Sequence, residues 1–285
     1  MTDDVPIPVV VAVPHAGRTY PENLVQRMRR PEYSQVRLED RYIDHVGTAA
    51  ARQTGAGLLL AHAPRAMLDL NRAADDMDWE MVAGGASSPA KHSIANRRAR
   101  SGLGLVPRRL PGLGEIWTGQ MERAELDARI TNIHSPYHSA LAEMLERVRD
   151  KWGAALLVDL HSMPPLRKMH EDDRAAQFVI GDRFGASADD RIVAAALQNL
   201  ADQGAIVAHN RPYAGGYVLD RHSSPGRGIH AIQLEVCRST YLDGSLTTTT
   251  DKLPEVASVV ASLVRVLGEL VARLGRSGAL PLAAE

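Results

Sequence analysis

Six short, mostly continuous apolar runs constrain this chain more than any other feature. They are Pro8–Val13, Gly57–Ala61, Ala154–Val158, Phe178–Ile180, Ala205–Ala208 and His230–Val236. Runs of this kind read as strands buried on both faces. Helical periodicity fills the gaps. Glu39 to Gln53 carries Ile43, Val46 and Ala50 on one side, with Gly55 as a C-cap. Ser135-Pro136 reads as an N-cap followed by proline at the first helical position, ahead of Leu141, Met144, Leu145 and Val148. Ser187 with Asp190 reads as a capping arrangement before Ile192 to Leu200, and Gly204 closes that helix. Pro254 to Leu274 is a long terminal helix. Strands alternating with helices predict an α/β fold of three α/β/α layers around a mixed, mainly parallel sheet.

Composition excludes several classes of function. Lys plus Arg total 33 against 34 Asp plus Glu, a formal net charge of −1. This balance gives no pull toward nucleic acid or an anionic membrane surface. No apolar stretch approaches the ~20 residues that span a bilayer. The opening MTDDVPIPVVVAV lacks the basic start of a secretory signal, and Cys237 is the single cysteine, so a cytoplasmic address is expected.

Residues 83–119 break the pattern. They are rich in Gly, Ser, Pro and Arg and show no period. They read as a mobile loop over the active site, since a long structureless loop in a compact domain is usually a lid or a binding loop. The arginines are too few, and too poor in neighbouring aromatics, for a nucleic-acid patch.

Two of the eleven histidines stand out. His15 in Val-Pro-His-Ala-Gly and His161 in Asp-Leu-His-Ser each lie just past an apolar run. Both therefore fall at the carboxyl edge of the expected sheet, where open α/β folds bind ligands. Two imidazoles and one carboxylate suit a catalytic metal, with a position left for water. Asp40 and Asp44, four apart at a helix start, both qualify as the carboxylate, against the plain alternative of acidic residues at a helix N-terminus. Asp159 is a weaker candidate that could instead orient a ligand. His62, His92, His134, His170 and His209 read as surface or hydrogen-bonded imidazoles.

Other polar residues sit in apolar company. Arg65 is followed by Asp69, Asn71 and Arg72, and burying such groups requires pairing or a ligand. Arginine can grip a carboxylate through two parallel hydrogen bonds. An internal Asp–Arg staple is the plain alternative. In His230–Val236, Gln233 and Glu235 alternate with apolar residues and share a strand face. A carboxylate there is a general-base candidate, because burial raises its pKa toward neutrality. Gly215-Gly216, close after Tyr213, permits unusual backbone near a ligand. The chain lacks a Gly-x-Ser-x-Gly elbow, a phosphate loop and a His-Glu-x-x-His helix, so a metal site must be assembled from distant segments.

In this order, the segments resemble the N-formylglutamate amidohydrolase family. The matching stretches are 13–17, the Asp40 helix start, Arg65 with Asp-Leu-Asn-Arg at 69–72, Pro-Tyr-His at 136–138, Asp-Leu-His-Ser at 159–162, the Asn210–Tyr217 turn, and 228–241 with Gln-Leu-Glu. The resemblance implies a zinc-carboxypeptidase-like fold, one catalytic domain over 1–285, and hydrolysis of N-formyl amino acids, above all N-formyl-L-glutamate, in histidine catabolism. It implies His15, Asp40 and His161 as ligands of one zinc ion, other divalent metals remaining open, and Glu235 as the base. The Arg65 region also looks like that of the zinc-dependent aspartoacylases. That likeness makes Arg65 the carbonyl-polarising group, with Asn71 and Arg72 holding the substrate carboxylate. Arg221 is expected on a second carboxylate, and Tyr213, Gly215 and Gly216 line the substrate site. The expected partner is a small N-acyl amino acid, and a homo-oligomer is possible. Alternatives are another N-acyl amino acid hydrolase, an aspartoacylase-like enzyme, a carboxypeptidase, or a non-catalytic metal- or small-molecule-binding domain.

Overall fold

The computed structural model describes residues 5–85, 97–166 and 175–278. Its elements in chain order begin with β1 (Val9–Val13), α1 (Glu22–Val25), α2 (Pro31–Leu38), α3 (Ile43–Thr54), β2 (Gly57–Leu60) and α4 (Arg97–Arg100). The hairpin strands β3 (Arg109–Leu110) and β4 (Gly114–Glu115), then α5 (Arg123–Arg129), α6 (Ser135–Trp152) and β5 (Ala155–Met163) follow. The chain continues through β6 (Phe178–Gly181), α7 (Asp190–Asp202), β7 (Val207–His209), α8 (Tyr217–His222), β8 (Ile229–Cys237) and α9 (Leu253–Gly278). Two compact units result. One is Met1–Val13 with Tyr42–Leu59 and Leu141–Glu285; the other is Pro14–Arg41 with Leu60–Ala140. Among the described residues no helix is long and apolar enough to cross a membrane.

The first unit is built on a sheet of order β2-β1-β5-β8-β6-β7. β1, β5 and β8 run parallel, β6 is antiparallel to β8, and β7 is parallel to β6. The expected mixed, mainly parallel sheet is therefore present, and all six apolar runs are strands. Helices cover both faces. A Cβ added to Gly47 of α3 would lie 3.0 Å from Val13 and 3.1 Å from Leu160, and one on Gly268 of α9 would lie 3.5 Å from Val9. Val9, Val11 and Val13 thus face α3 and α9. Val10 points the other way, beside Met144 of α6, as strand alternation requires. Gly275 lets α9 touch the main chain at the end of α6, for a Cβ there would collide with the Trp152 carbonyl.

Local expectations differ from the structure in four places. β5 runs on to Met163, because β8 pairs with it along its whole length, so His161 lies inside the strand rather than past it. The first long helix starts at Ile43, not Glu39: α2 ends at Leu38, and Tyr42 at φ 61° separates Asp40 from α3. Asp40 and Asp44 therefore do not share a helix face. α6 begins at Ser135, but Ser135 is no N-cap: the chain is already helical from Arg123 and passes into α6 through a π turn at Ile130–His134. Pro136 has no N–H to donate and crowds the preceding turn, which the wider π turn accommodates. The α7 cap is Asp189, which accepts from the Arg191 N–H, while Ser187 donates to the Ala231 carbonyl.

In the second unit, residues 97–119 depart from the loop reading. They include α4 and the β3–β4 hairpin, with Leu105, Val106, Ile116 and Trp117 buried. Their arginines pair locally: Arg108 bonds Asp78, Glu80 and Glu115, and Arg109 bonds Glu115. Residues 86–96 of that stretch, with His92, lie outside the described residues, as does His170.

Candidate active site

In the second unit the polar residues converge on Asp69, whose side chain is fully buried. Its Oδ1 accepts from His15 Nε2 at 2.7 Å and from the Asn71 N–H at 2.8 Å. Its Oδ2 accepts from Arg65 Nε at 2.9 Å, with Arg72 Nη2 at 3.8 Å. Burial acts to raise the Asp69 pKa, yet Arg65, Arg72 and His15 hold it well below the usual carboxylate range. On the other side of the His15 ring, Nδ1 lies 3.6 Å from Asp40 Oδ2, and the Asp40 N–H donates to the His15 carbonyl. Gly17 lets the chain after His15 pass close to the 62–63 main chain, since a Cβ there would collide with the Ala63 carbonyl.

Helix and loop fix one another here. Arg129 Nη1 donates to the Met67 carbonyl at 2.7 Å, and His134 Nε2 donates to the Arg72 carbonyl at 2.9 Å. Arg72 donates in turn to the carbonyls of Leu103 and Asn71. The internal Asp–Arg staple is thus present around Asp69, and His134 is the hydrogen-bonded imidazole expected of it.

In the first unit, register places a polar row on one sheet face. Asp159 pairs with Gln233 and His161 with Glu235, so all four project to the side away from α9. All four are buried. His161 Nε2 lies 2.9 Å from Asp159 Oδ2, so Asp159 fixes the His161 ring. Gln233 Nε2 donates to Glu235 Oε1 at 2.9 Å. Beyond the row, Met163, Val179 and Cys237 form an apolar cluster against which Tyr213 packs. Gly215 takes φ 97°, a conformation that favours glycine, and Gly216 caps α8. Arg221, an exposed residue of α8, donates to the Tyr217 hydroxyl.

His15, Asp40 and His161 form a buried group that could hold a metal ion, with one candidate ligand atom from each within 4.8 Å of the others. The donor chemistry fits. Each histidine engages a carboxylate through Nε2, which fixes the ring, an arrangement common for metal-bound imidazoles. Asp44 is not in this group; it sits in the first turn of α3, 4.0 Å from His45.

Sequence reasoning did not foresee Asp69 as the partner of His15. The two are 54 residues apart, and Asp-Leu-Asn-Arg by itself shows only an aspartate near arginines. Nor did it foresee Asp182, which is buried against Asn210.

Comparison with known proteins gives a consistent picture. The model of the family FGase, N-formylglutamate amidohydrolase, matches residues 7–242. An N-formylglutamate deformylase of Pseudomonas aeruginosa is 29% identical over 249 residues, covering 83% of each chain. One from Pseudomonas putida is 28% identical over 243 residues, covering 83% of this chain and 82% of the other. The crystal structure of an N-formylglutamate amidohydrolase from Ralstonia eutropha JMP134 superposes with a TM-score of 0.83 at 28% identity, covering 94% of this chain and 95% of that one. A gene product of Agrobacterium tumefaciens shares the fold, with a TM-score of 0.62 at 17% identity over 95% and 93% of the two chains.

Proposed function

Because the chain belongs to the N-formylglutamate amidohydrolase family, we propose that it hydrolyses N-formyl-L-glutamate to formate and L-glutamate, as a single catalytic domain using one zinc ion. The buried His15–Asp40–His161 group carries this reading. Two nitrogens and one oxygen are the donor set of a catalytic zinc rather than a structural one. A zinc ion held there would supply Lewis acidity and lower the pKa of a bound water to about 7.

The protein's own groups do the rest. Glu235 takes a proton from the attacking water as its oxygen adds to the formyl carbon. It delivers that proton to the amide nitrogen as the C–N bond breaks. Gln233 holds the Glu235 carboxylate in place through the bond to Oε1. Arg65, steered by Asp69, presents its guanidinium to the carbonyl oxygen as negative charge builds there. Asn71 and Arg72 hold the α-carboxylate, while Tyr213, Gly215, Gly216 and Arg221 meet the glutamyl side chain.

The test is turnover of a panel of N-formyl, N-acetyl and peptide substrates with metal content measured on the same samples. Chelation abolishes hydrolysis and zinc restores it. Glu235→Gln lowers kcat by about 10²–10⁴-fold while keeping its metal. Full turnover by stringently metal-free protein overturns the reading, and loss of metal from Glu235→Gln makes Glu235 a ligand instead.

A further inference from the structure

The turn after β7 is fastened to the end of β6 by contacts that the proposed chemistry does not use. Asn210 adopts φ 58°, in the left-handed region that asparagine tolerates. Its Nδ2 donates to Asp182 Oδ1 at 2.6 Å, and its Oδ1 accepts the Asp182 N–H at 3.0 Å. Both side chains are buried. His209 Nε2 lies 3.1 Å from the same carboxylate oxygen. Further along, the Arg183 N–H donates to the Ala214 carbonyl at 2.8 Å. The turn then rests on Gly181, where an added Cβ would lie 2.7 Å from Ala214 C, 2.8 Å from Gly215 N and 2.9 Å from Tyr213 O.

The location of Gly181 gives these contacts their meaning. Gly181 pairs with Gln233, and Val179 with Glu235, in the antiparallel β6–β8 ladder. Directly opposed residues share a face. Main chain from Tyr213 to Gly215 therefore lies on the face that carries Gln233 and Glu235. Strand order puts β8 between β5 and β6, so Glu235 stands between His161 and the turn. A substrate attacked at its carbonyl beside His161 and Glu235 turns its far end, the amino-acid side chain, toward Tyr213–Gly215.

We propose that Asp182 and Asn210 are specificity-determining positioning residues, whose paired hydrogen bonds seat the 211–216 turn on Gly181 as the wall that measures the substrate's side chain. This rests on the hydrolase reading above. The wall selects a side chain long enough to reach it; N-formylglycine, which has none, is indifferent to where it stands.

The experiment compares kcat/KM for N-formylglutamate, N-formylaspartate and N-formylglycine. Asn210→Asp sets two carboxylates against each other and unseats the turn. The preference for N-formylglutamate over N-formylglycine falls about tenfold or more, the scale on which a pocket senses a methylene. The double variant Asp182→Asn/Asn210→Asp exchanges donor and acceptor and restores the preference. Gly181→Ala, which alters no charge, pushes the wall inward and shifts preference toward the aspartyl substrate; it decides the matter if Asn210→Asp does not fold. An equal loss on all three substrates, or no change in preference, overturns the positioning role while leaving the hydrolase intact. A wild-type protein that cleaves none of the panel overturns both.

Discussion

Asp69→Asn is the sharpest probe of how the candidate site is held. The substitution preserves volume and leaves an oxygen that can still accept from His15 Nε2 and the Asn71 N–H, both now on Oδ1. At the Oδ2 position it places an NH2 group against Arg65 Nε, so two donors meet where a charge-assisted bond of 2.9 Å stood. The carboxylate that balances Arg65 and Arg72 disappears from a fully buried position. Breaking a buried ion pair from one side costs about 3–5 kcal/mol, a large share of the roughly 5–15 kcal/mol that stabilises a typical domain. Exchanging the carboxylate behind a metal-bound imidazole for a neutral amide lowers metal affinity by about 10-fold, the low end of the range for partners of this kind. Urea unfolding at pH 7 measures the first quantity, and zinc competition with a chelator of known affinity measures the second. Asp44→Asn is the control, expected to change stability by no more than about 0.5 kcal/mol and to leave zinc affinity in place. The reasoning fails if Asp69→Asn stays within about 1 kcal/mol of wild type with unchanged zinc affinity. In that case the charge of Asp69 matters to neither the fold nor the site.

Three further outcomes are expected. Burial, aided by the nearby Arg221 charge, pushes the His222 pKa down from 6.5 to about 4. Between those values the unfolded chain binds the extra proton, so stability present above pH 6.5 falls by about 3 kcal/mol as pH drops to 4. His222→Phe removes that part of the slope, and an unchanged slope in urea titrations at several pH values refutes the assignment. Gly275→Ala forces a methyl group into the Trp152 carbonyl and lowers stability by about 1–3 kcal/mol; an unaltered melting temperature refutes the close crossing of α9 and α6. Trp117→Ala empties a buried site and loses the Nε1 bond to the Pro107 carbonyl, costing about 3–5 kcal/mol. Were 97–119 a solvated loop, the same change would be silent in urea unfolding.

Sequence legibility followed the range of the interactions. Strands such as Val9–Val13 declare themselves because both faces are buried and every position must be apolar. Gly55 closes α3 at φ 78° for a reason local to its own backbone. His15 and His161 are legible as histidines that follow apolar runs, although β5 extends through His161, and the atoms that hold them are not. Asp69 reaches His15 across the fold, whereas Asp159 reaches His161 from two positions away, a separation visible in the sequence. The stretch 97–119 was misread because its order comes from Trp117, Ile116 and the Arg108 ion pairs rather than from any period. Likewise, Ser135-Pro136 has the local chemistry of a helix start, and only the five residues before it show that the helix had already begun.

Those five residues have a consequence of their own. Arg129 and His134 are five apart, and in a regular α-helix such residues point about 140° from each other. Here they both reach the 67–72 loop, one at Met67 and the other at Arg72. The buried positions Leu126, Arg129, His134 and His138 are spaced accordingly, with a longer step at the π turn. The turn is thus a slip in helical phase, equivalent to one inserted residue. Deleting a single residue between 129 and 134 would remove the extra residue of the π turn and leave Arg129 and His134 four apart in a regular α-helix, about 40° from each other, so both would still face the 67–72 loop. The π turn therefore takes up one residue of chain length while the flanking turns keep the same side chains on the loop that carries Asp69, Asn71 and Arg72.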